Sequence, residues 1–260
     1  MGAGPLRLLE AGLVDRLKDA GHVTDVSIVE TPSTLWPSEI ASAFDLARQI
    51  AVQVRAALDK GGFPLVLSGN CGPAALGSVS AASDLSRVNW FDAHGDFNTP
   101  ETTVSGFLDG MALATITGHC WRELTATIPG FSIVPEATVT LIGARDFDVL
   151  EANALADSQI ANVSVNTIIT SPASAGGNGS TYLHIDLDVL DPSEGRMNSY
   201  AAPRGITHSQ LHEALHAIRR HRRLCAASVT AFDPAVDASG RSLETALNVC
   251  VQVAALGMVE

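Results

Sequence analysis

Short apolar and β-branched runs recur along the chain, separated by stretches in which apolar residues return at helical spacing. Continuous apolar runs suit strands buried on both faces, and i, i+3, i+4 spacing marks a helix with one buried stripe. Strands are predicted at 26–29, 65–67, 88–91, 139–142, 163–169, 182–188 and 227–232, and helices at 40–59, 207–221 and 242–256. The segment 69–72 reads as a tight turn. Alternating strands and helices predict a three-layer α/β/α fold with a mostly parallel central sheet. The Ser/Gly-rich stretch SPASAGGNGS at 171–180 reads as a surface loop before a core strand, so a single domain over 1–260 is expected. No internal repeat is evident.

Composition sharpens this picture. With 46% hydrophobic and 17% charged residues, 260 residues can enclose a sizeable core. A net charge of −12 argues against nucleic acid or an anionic membrane as partner, since both demand basic surface. No run of about 18 apolar residues offers a transmembrane helix. The first twelve residues hold one basic residue and no cleavage pattern, so a cytoplasmic protein is expected. Cys71, Cys120, Cys225 and Cys250 are scattered, which favours reduced thiols over a disulfide framework or a structural zinc site.

Three acid-rich segments fall at or just after the ends of predicted strands. They are Asp92-Ala-His94-Gly-Asp96, Asp186-Leu-Asp188-Val-Leu-Asp191 and Asp233-Pro-Ala-Val-Asp237. Active sites of open parallel sheets form beyond the carboxyl ends of the strands, where such segments converge. In extended chain Asp92, His94 and Asp96 would project together, as would Asp186 and Asp188. Carboxylates packed so closely repel one another and resist desolvation, and a divalent cation relieves both costs. Oxygen-rich ligands with one imidazole suit Mn²⁺, Fe²⁺ or Zn²⁺. The plain alternative is a set of caps and solvated loop ends. That fits a lone Asp better than a DxHxD and a DxD on separate strands.

The segments FDAHGDFNTPETTVSGFLDGMAL, HIDLDVLDP and IGARDFD resemble, in order, the metal and substrate segments of the arginase-like ureohydrolases. SGNCGPAALG stands where that family has a Gly-Gly-Asp-His turn. The resemblance implies a binuclear manganese centre and attack of a metal-bridging hydroxide on a guanidine or amidine carbon. It implies that Asp92 and Asp186 bridge two cations, that His94 and Asp188 complete one shell, and that Asp96 binds the other ion. It makes His94, Asp96 and Asp109 the candidate catalytic residues, with Asp109 standing where many arginases have a proton-transferring histidine. Asn98, Thr103, Ser105, Asp148 and Glu151 match positions that contact an amino-acid-like substrate, although loop solvation would account for them equally well. A homo-oligomer, trimer or hexamer, is also implied.

The departures bear on chemistry. Cys71 occupies the place of a metal-binding histidine, and a thiolate there shifts preference from Mn²⁺ toward Zn²⁺ or Fe²⁺. Ala231 stands where a glutamate commonly holds the guanidinium, so arginine hydrolysis is expected to be poor. The helix start GPLRLLE comes almost at Met1, so either the family's first strand is absent or the chain is truncated. The expected function is metal-dependent hydrolysis of a non-peptide C–N bond. The alternative is an arginase-like binding or oligomer-forming subunit with a decayed site. His208, His212 and His216 share one helix face but have no partner carboxylates, so a surface stripe is the better reading. The turn at 69–72 lacks the motif of a phosphate loop.

Overall fold

A computed structural model describes residues 1–30, 38–171 and 179–257. Six strands form one sheet: β1 (Leu65–Ser68), β2 (Leu85–Phe91), β3 (Val139–Ile142), β4 (Ala161–Val163), β5 (Ser180–Asp186) and β6 (Arg223–Thr230). Their order is β1-β6-β5-β2-β3-β4, and every pairing is parallel. The expected three-layer α/β/α architecture is borne out. Period-two alternation assigns each strand's residues to two cores. Val88, Trp90, Leu141, Tyr182 and Ala226 face one side; Phe91, Ile142, Leu183, Ile185 and Val229 face the other.

On the first side lie α3 (Glu39–Asp59) and α4 (Cys71–Ala81), with α5 (Ala112–Ile116) and α7 (Val149–Asp157). The stub α6 (Arg122–Thr125) precedes β3. The second side is covered by α1 (Gly4–Glu10), α2 (Leu13–Asp19), α8 (Val165–Thr170), α9 (His208–His221) and α10 (Arg241–Leu256). Caps set several of these starts. Ser38 accepts from the Ala41 amide at 3.2 Å, and Thr207–Gln210 and Asp148–Glu151 each form a reciprocal capping box. α4 is apolar all round and buried along nearly its whole length, because it is sandwiched between α3 and the sheet. Its amino end therefore points Cys71 into the protein rather than toward solvent.

Three expectations need correction. Residues 26–29 form no strand: no described strand pairs with them, and Val26 and Ile28 are exposed. The predicted strand 163–169 ends at Val163. Ser164 then accepts from the Thr167 amide at 3.3 Å and starts α8, so a helix cap overrides the β-branched composition. β5 stops at Asp186, where the chain turns into a short 3₁₀ segment, Leu187–Val189. Most of the loop expected at 171–180 (residues 172–178) lies outside the described residues, and Ser180 already belongs to β5. Among the described residues no helix is long and apolar enough to cross a membrane.

Candidate metal centre

The carboxyl ends of β2 and β5 bring two of the three predicted acid segments together, whereas Asp233 and Asp237 after β6 stay apart, taken up by the Ala235, Ser242 and Leu243 amides. After β2, Asp92 Oδ1 accepts the His94 amide at 2.8 Å; after β5, Asp186 Oδ1 accepts the Asp188 amide at 2.8 Å. Both strands thus end in the same turn, an Asp side chain bonded to the backbone two residues on. The extended i, i+2, i+4 projection is therefore replaced by two tight turns that still cluster the side chains. Asp96 departs furthest, with a left-handed φ of 49°. Its carbonyl receives the amides of Leu113 and Ala114, which fixes that backbone against α5.

His94 Nδ1 lies 3.3 Å from Asp92 Oδ1 and 3.5 Å from Asp188 Oδ2. The Trp90 indole donates to Asp92 Oδ2 at 3.1 Å, and Asn198 Nδ2 donates to Asp188 Oδ2 at 3.1 Å. Asp92, Asp96, Asp186 and Asp188 are all buried, and Asp96 Oδ2 has no hydrogen-bond partner. Burial, then the charges of neighbouring carboxylates, push Asp96, Asp186 and Asp188 well above or above the ordinary range. Asp92 moves the other way: burial would raise it, but the hydrogen bond and charge of His94 hold it low. Burial works to lower the His94 imidazole, yet its hydrogen bond to Asp92 and the charges of Asp188, Asp92 and Asp146 carry it to about 9.

Four buried carboxyl groups thus lie around the His94 imidazole, and one carboxylate oxygen is orphaned in the protein interior. That donor set fits divalent cations, which would supply the missing positive charge and the missing bond partner. Two trios of donor atoms each lie within 4.8 Å of one another: Asp92, His94 and Asp188, and Cys71, Asp92 and His184.

A cavity of about 310 Å³ opens over this cluster. His94, Asp96, Asp186 and Asp188 line it, together with all five predicted substrate contacts, Asn98, Thr103, Ser105, Asp148 and Glu151. Asn98 Nδ2 donates to Asp148 Oδ2 at 3.1 Å. Glu151 is committed to backbone: it accepts the Phe97 amide at 2.9 Å and the Asp148 amide at 3.3 Å. Asp109 lines the same cavity and accepts the Gly72 amide at 2.9 Å, placing a carboxylate at the start of α4. Burial raises its carboxyl to about 6 against the pull of those backbone amides. Ala231 also lines the cavity, with a left-handed φ of 63° and its carbonyl taken by Asn198 Nδ2 at 3.1 Å. Asp233 is not among the lining residues.

Cys71 is buried, with Sγ 3.1 Å from Asp186 Oδ2 and 3.1 Å from Thr230 Oγ1. Burial first, and then the charge of Asp186, push its thiol well above the usual range. Sequence reasoning passed over His184, Trp90, Asn198 and Arg145. His184 was detectable in principle, since Tyr182, His184 and Asp186 share one face of a strand. Arg145 caps the carbonyls of Asp188 and Val189 at 3.0 and 3.2 Å, a contact between distant segments with no local signature. The stripe His208, His212, His216 gathers no metal-ligand cluster among the described residues; His212 and His216 stack edge to face on the exposed side of α9.

A parallel sheet with buried acids and an imidazole at its carboxyl edge, under an open cavity, defines an α/β protein whose donor set suits divalent cations. The sequence profile of the Arginase family matches residues 3–255, and the chain belongs to that family. An arginase of Staphylococcus aureus (strain MRSA252) is 28% identical over 270 residues, covering 94% of this chain and 88% of its own. An arginase of Bacillus caldovelox is likewise 28% identical, covering 94% and 89%. The crystal structure of the Bacillus subtilis arginase superposes with a TM-score of 0.86 at 25% identity, over 99% of this chain and 92% of that one. The chain is accordingly a hydrolase of non-peptide C–N bonds, in a family of binuclear metal enzymes.

Proposed function

We propose that the chain hydrolyses a C–N bond of a small linear guanidine, amidine or related compound with an amino-acid-like head, using two divalent cations. Asp92, His94, Asp96, Asp186 and Asp188 would hold the ions, with Asp92 and Asp186 shared between them and Cys71 beside the Asp96 end. Such a pair, manganese by family type, supplies Lewis-acid polarisation and makes a bound water acidic enough to ionise near neutral pH. The observation that carries this reading is the buried, unpartnered Asp96 Oδ2 among carboxylates that outnumber the nearby cations.

The chain's own residues divide the remaining work. Asn98, Thr103, Ser105 and Asp148 present donors and acceptors along one wall for the polar head of the substrate. Glu151 holds that wall in place through the Phe97 and Asp148 amides. Asp109, which also lines the cavity, offers a carboxylate for proton transfer. Ala231 leaves apolar surface where a guanidinium would need an anion, and an unpaired buried cation costs about 3–5 kcal/mol by analogy with broken buried pairs. Urea release from arginine is therefore expected to be poor, and a substrate without a full positive charge at the reacting end is favoured. A decayed, purely binding subunit is disfavoured by the Asp92, His94 and Asp188 donor atoms that still lie within 4.8 Å of one another. By family resemblance we also expect a cytosolic homo-oligomer, trimer or hexamer.

The test is to load purified chain with Mn²⁺, Zn²⁺ or Fe²⁺ and assay urea and ammonia release from linear guanidino, amidino and carboxamide compounds. Asp92→Ala should remove both turnover and metal retention. A wild-type chain that retains no cation and releases neither product would overturn the reading. Efficient turnover of arginine would overturn the substrate assignment alone.

A further inference from the structure

We infer that His184 and Cys71 give one end of the metal centre a nitrogen and a sulfur ligand, so that this end prefers zinc or ferrous iron to manganese. The inference rests on the metal-hydrolase reading above and concerns only which residues form the second half-site.

Sheet register sets up the arrangement. Trp90 pairs with His184 and His184 with Ser228, and one step on Asp186 pairs with Thr230, all on the face covered by α4. The His184 ring is fully buried and stacked on Trp90 at 3.7 Å between centroids. Its Nδ1 lies 2.8 Å from Ser228 Oγ and 3.2 Å from Tyr182 OH, two groups that hold the ring in place. Nε2 reaches toward the Thr230 hydroxyl at the end of β6. It sits 3.5 Å from Thr230 Oγ1, the hydroxyl that is also 3.1 Å from Cys71 Sγ.

Donor atoms of Cys71, Asp92 and His184 lie within 4.8 Å of one another, the scale on which an ion with bonds of about 2.0–2.3 Å gathers its ligands. Asp186 Oδ2, 3.1 Å from Sγ, supplies a fourth donor. An imidazole anchored through its other nitrogen is the usual arrangement for a metal-bound histidine. A histidine merely satisfied in a polar core would account for the Ser228 and Tyr182 contacts. It would not account for a thiol, the Asp92 carboxylate and the ring bringing their donor atoms within 4.8 Å of one another.

The opposite trio, Asp92, His94 and Asp188, offers only nitrogen and oxygen. The centre is thus asymmetric: a harder end and a softer end that share Asp92. Where the family resemblance places a histidine at the turn before α4, this chain has a thiol, and β5 supplies the imidazole instead. Thiolate selects softer ions than carboxylate does.

The experiment titrates Co²⁺, Zn²⁺ and Mn²⁺ into the stripped full-length chain and into Cys71→Ser and His184→Gln, reading metal content, affinity and the cobalt spectrum. The wild type should bind two ions, with a near-ultraviolet thiolate-to-cobalt band and a sulfur scatterer at about 2.3 Å from bound zinc. Cys71→Ser should abolish the band, and each variant should weaken zinc at one site at least about tenfold, the loss seen even for partners of ligands. Manganese binding at the other site should persist in both. The wild-type spectrum and Cys71→Ser decide the matter if His184→Gln fails to fold. Two ions bound with no sulfur signal, or variants with unchanged zinc affinity, would overturn this inference and leave the hydrolase reading standing. A wild type that binds no ion would sink both.

Discussion

Trp90 links core packing to the chemistry at its edge. Its ring is wholly buried against His184, and its indole nitrogen aims one oxygen of Asp92 at 3.1 Å. Trp90→Phe keeps an aromatic in the core but leaves that oxygen without its donor. We expect it to weaken metal binding about 10–100-fold and to cost roughly 1–3 kcal/mol of metal-free stability. Calorimetric metal titration and urea unfolding measure the two; a variant unchanged in both would show that the indole bond is idle. Asn198 does similar work from a loop, since its amide joins Asp188 Oδ2 to the Ala231 carbonyl, each at 3.1 Å. Asn198→Ala removes both bonds at once. A fall in metal affinity of about tenfold or more is expected by the same rule, and unchanged affinity would assign Asn198 to loop stability alone.

At the level of elements, the cavity wall depends on how closely α7 approaches the β2 turn. A Cβ at Gly95 would lie 2.7 Å from Glu151 Oε1 and 2.9 Å from Leu155 Cδ1, both on α7. Gly95→Ala must therefore push α7 outward or break the bond from the Phe97 amide to Glu151. Overpacking of this kind costs about 1–3 kcal/mol. Because Asp148 caps the same helix, the variant should also raise KM more than it lowers kcat. Thermal unfolding together with steady-state kinetics tests this; a lowered kcat with unchanged KM would contradict it.

For the whole molecule, the acid cluster makes stability depend on pH with a sign set by metal. In the metal-free chain, Asp96, Asp109, Asp186 and Asp188 hold their protons to higher pH than unfolded carboxyls near 4, Asp109 to about 6. The folded state then binds more protons than the unfolded state, so these groups contribute stability below about pH 4 that is lost as pH rises through their folded values. His94 acts in the same direction, its contribution lost as pH rises through about 9, while depressed Asp92 opposes at the acid end and His184, held down to about 3 by burial, opposes up to its unfolded value near 6.5, one group against the several raised ones. Bound cations instead favour the ionised ligands, so metal affinity rises with pH. Urea unfolding at about pH 5 and about pH 8 should show the stripped chain less stable at the higher pH and the loaded chain gaining most from metal there. A stripped chain that gains stability between those values would refute the assignment of buried, protonated carboxyls.

Much of the fold was written locally. The apolar runs that became β1, β2, β3, β5 and β6 need only their own composition to be recognised as buried, and the acids at 92–96 and 186–188 lie at the ends of β2 and β5. Residues 26–29 and 163–169 are as β-branched as the true strands. One has no described strand to pair with, and the other is captured by a Ser164 cap, because a strand is stable only when a neighbour completes its hydrogen bonds. Spacing placed Asp92, His94 and Asp96 side by side but could not give Asp96 its left-handed backbone, which comes from its carbonyl bonds to α5. Tertiary structure alone decided the partners: Arg145 under Asp188, Asn198 between two strand ends, and His184 beside Cys71 across three parallel strands. Periodicity along a chain fixes which face a residue takes, whereas the register between strands far apart in sequence fixes what it meets there.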